Sequence, residues 1–199
     1  MRVLRMTAVC LALAGISFAA SAQAGMGRSG PAAGTIAAPS KAVDSQLDLI
    51  EREMMGAVKA MPADKFGFAP SAAIFVPAQT TEFATVRTFA QQATHVAQAN
   101  YFFYMTMSGL KPDVDVSGLA KLTNKEDVVA ALAASFAFAH RAIATLTPQN
   151  AFEVVEIREP GFYTRATLAE FGVAHANDHY GQMVEYLRMN GIVPPASAK

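Results

Sequence analysis

Four stretches of this chain repeat their apolar residues every third or fourth position, and each stops at a proline or a glycine. That pattern admits helices and little else. In VDSQLDLIEREMMGAVKAM, Val43, Leu47, Ile50, Met54 and Val58 form one stripe, ended by Pro62. The second stretch runs from about Glu82 to Met107, with Phe83, Val86, Ala90, Ala93, Ala97 and Tyr101 in line, and Ser108-Gly109 stops it. The third starts at Thr123-Asn124, with Glu126 and Asp127 in its first turn, where acids suit the positive end of the helix dipole. Its stripe is Val129, Leu132, Phe136, Ile143 and Leu146, and Pro148 closes it. The fourth begins near Thr164 and ends at Asn190-Gly191. There Gly191 supplies a left-handed cap, Ile192 its apolar contact, and Pro194-Pro195 prevent continuation. Helices with one apolar stripe each bury those stripes against one another, so the expectation is an all-α four-helix bundle.

Two connections are longer than a bundle needs. Residues 62–81 contain FGFAPSAAIFVPAQT, whose prolines and aromatics suit an extended segment packed over one end of the bundle. Residues 149–163 include FEVVEIRE, which alternates like a short strand or an extended edge. Loops of that length in a small domain are commonly functional or interfacial.

The first 24 residues read as a signal peptide. Arg2 and Arg5 give a positive start, VCLALAGISFAA a short apolar run, and Ala22-Gln23-Ala24 a small-x-small cleavage site. The apolar run is too short for a membrane span, and no other stretch is long and apolar enough to be one. Cys10 has no lipobox before it, so a lipoprotein is not expected. Export to a periplasmic or secreted location is the natural consequence. Residues 25–40, rich in Gly, Ala, Pro and Ser, form a flexible lead-in. The remainder, 41–199, is about 160 residues, the size of one domain with a real core.

Cys10 is the chain's single cysteine, so the mature form has none. Disulfides, thiolate nucleophiles, Cys-ligated zinc and covalently attached haem are thereby excluded, and any metal ligand must be His, Asp, Glu or water. Losing Arg2 and Arg5 leaves 14 basic against 16 acidic side chains, a net charge of −2, with no basic cluster. Nucleic acid has no electrostatic footprint here.

Within that donor set the histidines stand out. His175 and His179 lie four apart in FGVAHANDHYGQMVEYLRMNGIVPP, which on a helix puts both imidazoles on one face, one turn apart. His95 sits in an equally helical stretch, FAQQATHVAQANYFFYMT. Two imidazoles from one helix and one from another make a three-nitrogen site that leaves coordination positions open, as catalytic zinc or a similar divalent metal uses. Ala176 stands where a zincin carries its general-base glutamate, so that protease motif fails. Phe171, Gly172 and Met183 share the face of His175, with Asp178 and Gln182 within one turn, an unusual mixture for either a solvated or a core face. Asp178 is placed to fix an imidazole tautomer, and a solvated aspartate is the plain alternative. Gln92 and Gln98 also lie within a turn of a ligand histidine, yet no residue has a motif-level claim to be a general base. His140, the fourth histidine, borders the apolar stripe of the third helix and is expected to be a partly buried or interfacial side chain. The run Tyr101-Phe102-Phe103-Tyr104 covers every face of a helical turn, so at least one ring must leave the core for a dimer surface or a pocket wall. The ten methionines are expected as core filler.

The segment MPADKFGFAPSAAIFVPAQTTEFATVRTFAQQATHVAQANYFFYMTMSGLKP resembles the opening half of the DinB-like family. There a Pro-x-x-Lys-(Tyr or Phe)-x-(Phe or Trp)-x-Pro stretch precedes the helix with the first metal-binding histidine, and Pro62, Lys65, Phe66, Phe68 and Pro70 occupy it here. SFAFAHRAIATLT resembles the family's third helix, and HANDHYGQMVEYLRMNGIVPPAS its closing helix and tail. The resemblance implies an up-down-down-up bundle, a homodimer, and one divalent metal (zinc, nickel or similar) held by His95, His175 and His179. Relatives with known activities include thiol-dependent enzymes, such as mycothiol-dependent maleylpyruvate isomerase and bacillithiol transferases, and many others are described as metal-dependent hydrolases. An exported protein meets little cytosolic low-molecular-weight thiol, which argues against thiol transfer. The expectation is therefore an exported metal-binding protein acting as a metal-dependent hydrolase on an unidentified small molecule. A non-catalytic metal or small-molecule binder and a thiol-dependent transferase are the alternatives.

Overall fold

The computed structural model describes residues 30–74, 82–157 and 161–198. The segment 1–24 expected as a signal peptide, the start of the lead-in, and parts of the two long connections (75–81 and 158–160) lie outside the described residues. The chain divides into a leading unit, Met1–Thr35, and a main unit, Ile36–Lys199. Of the leading unit the described part is a turn closed by the Thr35 amide donating to the Ala32 carbonyl at 3.1 Å.

Four helices build the main unit: α1 (Pro39–Ala60), α2 (Phe89–Ser108), α3 (Lys125–Ile143) and α4 (Arg165–Met189). Prolines and side-chain caps set their starts. Pro39 opens α1 with a residue whose missing N–H costs nothing in a first turn. The Asn124 side chain accepts from the Asp127 amide at the start of α3, and Thr164 with Thr167 forms a reciprocal cap on α4. At the end of α4, Gly191 takes φ +73° and the Ile192 amide donates to the Leu187 carbonyl at 2.9 Å, the expected left-handed stop.

One helix start, one helix end and one stripe position differ from expectation. Helix α2 begins at Phe89, seven residues after Glu82, because Thr88 and Gln91 cap each other's backbone and end the irregular 82–88 segment. Phe83 and Val86 are therefore loop residues. Helix α3 ends at Ile143, short of Pro148, with Leu146 still buried beyond it. Leu132, Phe136, Ile143 and Leu146 are buried as expected, but at the start of the α3 stripe Val128 is fully buried and Val129 only partly. Of the short strand or extended edge expected in 149–163, the described residues form one bridge, Val154 with Thr164.

The core stripe of α1 is buried as its spacing dictates, from Val43 to Val58. Helices α1 and α2 each pack against both α3 and α4, so α1 and α2 face each other across a diagonal, as do α3 and α4. This explains the two long connections, since each joins diagonal partners. The ends are tied across the bundle. Lys125 Nζ, in the first turn of α3, donates to the Lys59 and Met61 carbonyls at the end of α1, both at 2.8 Å, where a cation also suits the dipole. Arg165, opening α4, donates to the Met107 carbonyl near the end of α2 at 2.8 Å. Tyr186, near the end of α4, donates to the Arg87 carbonyl just before α2 at 2.9 Å. No described helix is long and apolar enough to cross a membrane. Methionine is only partly filler: Met54, Met61, Met107 and Met183 are fully buried, while Met105 and Met189 are exposed.

Candidate metal centre

The site forms where α2 lies on α4, and each side is positioned before any ligand enters. After α1 the chain turns through Phe66 and Phe68, whose carbonyls accept from the Ala90 and Phe89 amides at 2.9 and 2.8 Å. Phe66 is buried edge-on against Phe89, and Phe68 edge-on against Tyr186. The Pro62–Pro70 stretch thus caps α2 and seats it against α4. On α4, Gly172 permits the approach: a Cβ there would lie 2.8 Å from the hydroxyl of Tyr104, a ring with no exposed surface.

That contact brings His95 to His175 and His179, the pair whose spacing placed them on one face. Their ring centroids are 4.5 to 5.1 Å apart, and one nitrogen from each lies within 4.8 Å of the others. His175 Nε2 and His95 Nε2 are 3.2 Å apart. Two imidazole nitrogens on one tetrahedral zinc, each about 2.0–2.1 Å from it, stand about 3.3 Å from one another, so this pair has the separation of two ligands. His175 Nδ1 is buried with no hydrogen-bond partner, so that ring is held by packing against Phe103, at 5.4 Å between centroids.

Electrostatics keep all three rings neutral. Burial first, then the Arg87 cation and His179, pushes His95 down to about 4. Burial, then His179 and His95, brings His175 to about 4 as well, and burial lowers His179. Unprotonated imidazole is the form a metal requires. The three-histidine cluster could hold a metal ion.

A chain of hydrogen bonds decides which His179 nitrogen faces the cluster. The Asp178 carboxylate can only accept, so the Gln182 amide nitrogen turns toward it, at 3.0 Å. Gln182 Oε1 then accepts from Gln92 Nε2 at 2.8 Å, and Gln92 Oε1 faces His179 Nδ1 at 2.8 Å. His179 Nδ1 must carry the proton, and its Nε2 keeps the lone pair. Asp178 therefore acts through two glutamines and touches no imidazole.

A model of the DinB superfamily matches residues 46–183. The chain belongs to the DinB superfamily. Seven solved chains match it. One is a DinB-like protein from Bacillus cereus with a TM-score of 0.63 and 12% identity, over 78% of this chain and 95% of that one, a likeness of fold. Among curated protein sequences none matches.

Two cavities of about 400 Å³ open on either side of His95 in this DinB bundle. One is polar and is reached past Arg87, Gln91 and Thr94; the other is walled by Phe102, Phe103 and Phe171 and also exposes His175. Of the four consecutive aromatics, Tyr101, Phe103 and Tyr104 are buried, and Phe102 is the ring that leaves the core, as a pocket wall. Neither Phe102 nor Arg87 was singled out from sequence as lining the site. For Phe102 the four-ring run was the signal; for Arg87, exposed in an irregular loop, there was none.

His140 lies elsewhere, between α3 and α1. Its Nδ1 is 2.7 Å from Asp44 and its Nε2 2.9 Å from Glu51, with Asp48 at 3.8 Å. Burial would lower its pKa, but the hydrogen bonds and charges of Asp44 and Glu51 prevail and raise it. Asp48, Glu51 and His140 also bring potential ligand atoms within 4.8 Å. With both ring nitrogens held by carboxylates, the imidazolium is the favoured form, and it has no lone pair for a cation.

Proposed function

We propose that this DinB-superfamily protein is an exported, homodimeric metal protein that binds one divalent cation, zinc, nickel or similar, through His95, His175 and His179 and acts as a metal-dependent hydrolase. The observation that carries the reading is three neutral imidazoles converging between two cavities, one fixed in its tautomer by Gln92. An up-down-down-up path belongs to the same proposal. It is supported by the ties that make α1 antiparallel to α3 and α2 antiparallel to α4, and by Pro195, just after α4, lying against Gly56 near the end of α1.

A divalent cation at this position supplies Lewis acidity toward a carbonyl or phosphoryl oxygen. The chain's own contribution is to present neutral nitrogens, to leave His95 and His175 facing the cavities, and to hold His179 through the glutamine chain. One observation favours a second reading, a non-catalytic binder: among the described residues no carboxylate lines either cavity beside His95, so no general base is at hand.

Elemental analysis of the mature chain without a histidine tag should find about one divalent ion per chain. A screen of ester, amide and phosphoester substrates on the metal-loaded protein then separates the readings. Turnover supports the hydrolase, metal without turnover supports the binder, and thiol-dependent turnover would replace both. Light scattering checks the dimer.

A further inference from the structure

The two cavities beside His95 differ in chemistry, and the difference specifies a ligand. Arg87 stands at the mouth of the polar one, exposed, with no carboxylate paired to it among the described residues. It lines the same cavity as His95. The opposite cavity is walled by phenyl rings in contact: Phe103 lies 5.4 Å from Phe102 and 5.1 Å, edge-on, from Phe171. Gln98 lines both cavities and donates from its amide to the Val116 carbonyl at 3.1 Å.

We propose that the site takes a small anionic amphiphile, with its carboxylate or other oxyanion beside Arg87 and its aryl or branched-alkyl body against Phe102, Phe103 and Phe171. Its central atoms then cross the His95 face. The volumes suit a small molecule, since pockets of about 300–1,000 Å³ hold ligands of that class. The proposal rests on the metal-site reading for its centre, while its two recognition elements lie outside the three histidines.

The test is calorimetric titration of the zinc-loaded mature protein with 3-phenylpropionate, 3-phenylpropan-1-ol and propionate. The acid should bind about tenfold more tightly than either the neutral alcohol or the ringless acid, about 1.4 kcal/mol in each comparison. Arg87→Met should erase the preference for acid over alcohol while leaving the alcohol's affinity unchanged, and Arg87→Lys should restore part of it. Phe102→Ala should erase the advantage over propionate and keep the preference over the alcohol. Melting curves confirm that each variant folds. Equal affinity of acid and alcohol, or a preference that survives in Arg87→Met and vanishes on chelation, overturns the proposal, the latter because the carboxylate would then sit on the cation. The chelated protein separates the two readings. If elemental analysis finds no metal but the Arg87-dependent preference persists, the metal reading fails and this one stands. Bound metal without any such preference sinks this one alone.

Discussion

Two histidine environments in one bundle show how far the surroundings decide what an imidazole does. Between α2 and α4, one buried and two half-buried rings converge near the Arg87 cation, with Asp178 held at a distance by two glutamines, and their pKa values fall. Between α1 and α3, one half-buried ring meets Asp44 and Glu51 directly, with Asp48 nearby, and its pKa rises. The first arrangement offers lone pairs, and the second occupies them with protons. A carboxylate at the far end of an amide relay orients an imidazole, whereas one in contact at each nitrogen charges it.

The largest expected contrast is in metal content. Alanine at His95, His175 or His179 should take the bound ion from about one per chain to nearly none, because a three-ligand site has no spare, while His140→Ala should keep it. If His140→Ala empties the protein as fully as His95→Ala, the comparison is broken.

Chelation comes next. The four buried stripes are a core that a domain of about 160 residues can live on, so the helical circular dichroism should persist at room temperature. A ligand at a hundredfold excess over its dissociation constant adds roughly 2.7 kcal/mol. Its removal should lower the melting temperature by about 5–10 °C. Helicity lost at neutral pH on chelation would mean the fold depends on the ion.

Gln92→Leu sharpens the comparison further. It keeps the shape of a buried side chain but cuts the relay at the imidazole. Metal affinity, read by competition with a chromophoric chelator, should fall about 10–100-fold, as for other losses of a group that orients a ligand. Unchanged affinity would mean packing alone orients His179.

The smallest effect is at His140. Its folded pKa is raised, so the protonated form stabilises the fold. That stabilisation is complete below the unfolded pKa near 6.5 and is lost as pH rises through the higher folded value. Lys41 also lines the surface cavity around Asp44 and His140. His140→Asn should cost more stability at pH 6 than at pH 9 in denaturant titrations. A cost independent of pH would remove the imidazolium from the account.

Helix periodicity and cap chemistry are local, and they were legible. The α1 stripe, the Asn124 and Thr164 caps and the Gly191 stop follow from neighbours within a few residues. The start of α2 was missed although Thr88 and Gln91 carry the reciprocal cap, because apolar Phe83 and Val86 continued the helical spacing into a loop. The first member of the α3 stripe was placed one residue off because adjacent valines fit either phase, while its other four members are buried as expected.

By itself the sequence determined that His175 and His179 share one face, since backbone hydrogen bonding sets that spacing whatever surrounds the helix. Its lack of cysteine after residue 10 likewise restricted any metal donor to nitrogen or oxygen. Only the tertiary structure decided that His95, 80 residues from His175, joins them, because the side-by-side placement of α2 and α4 depends on close contacts such as Gly172 on Tyr104. The same packing put Gln182 against Gln92, turned Phe102 out as a pocket wall and set His140 among carboxylates. Lateral neighbours on different helices are chosen by how whole faces fit, and that fit has no signature in the spacing of any one segment.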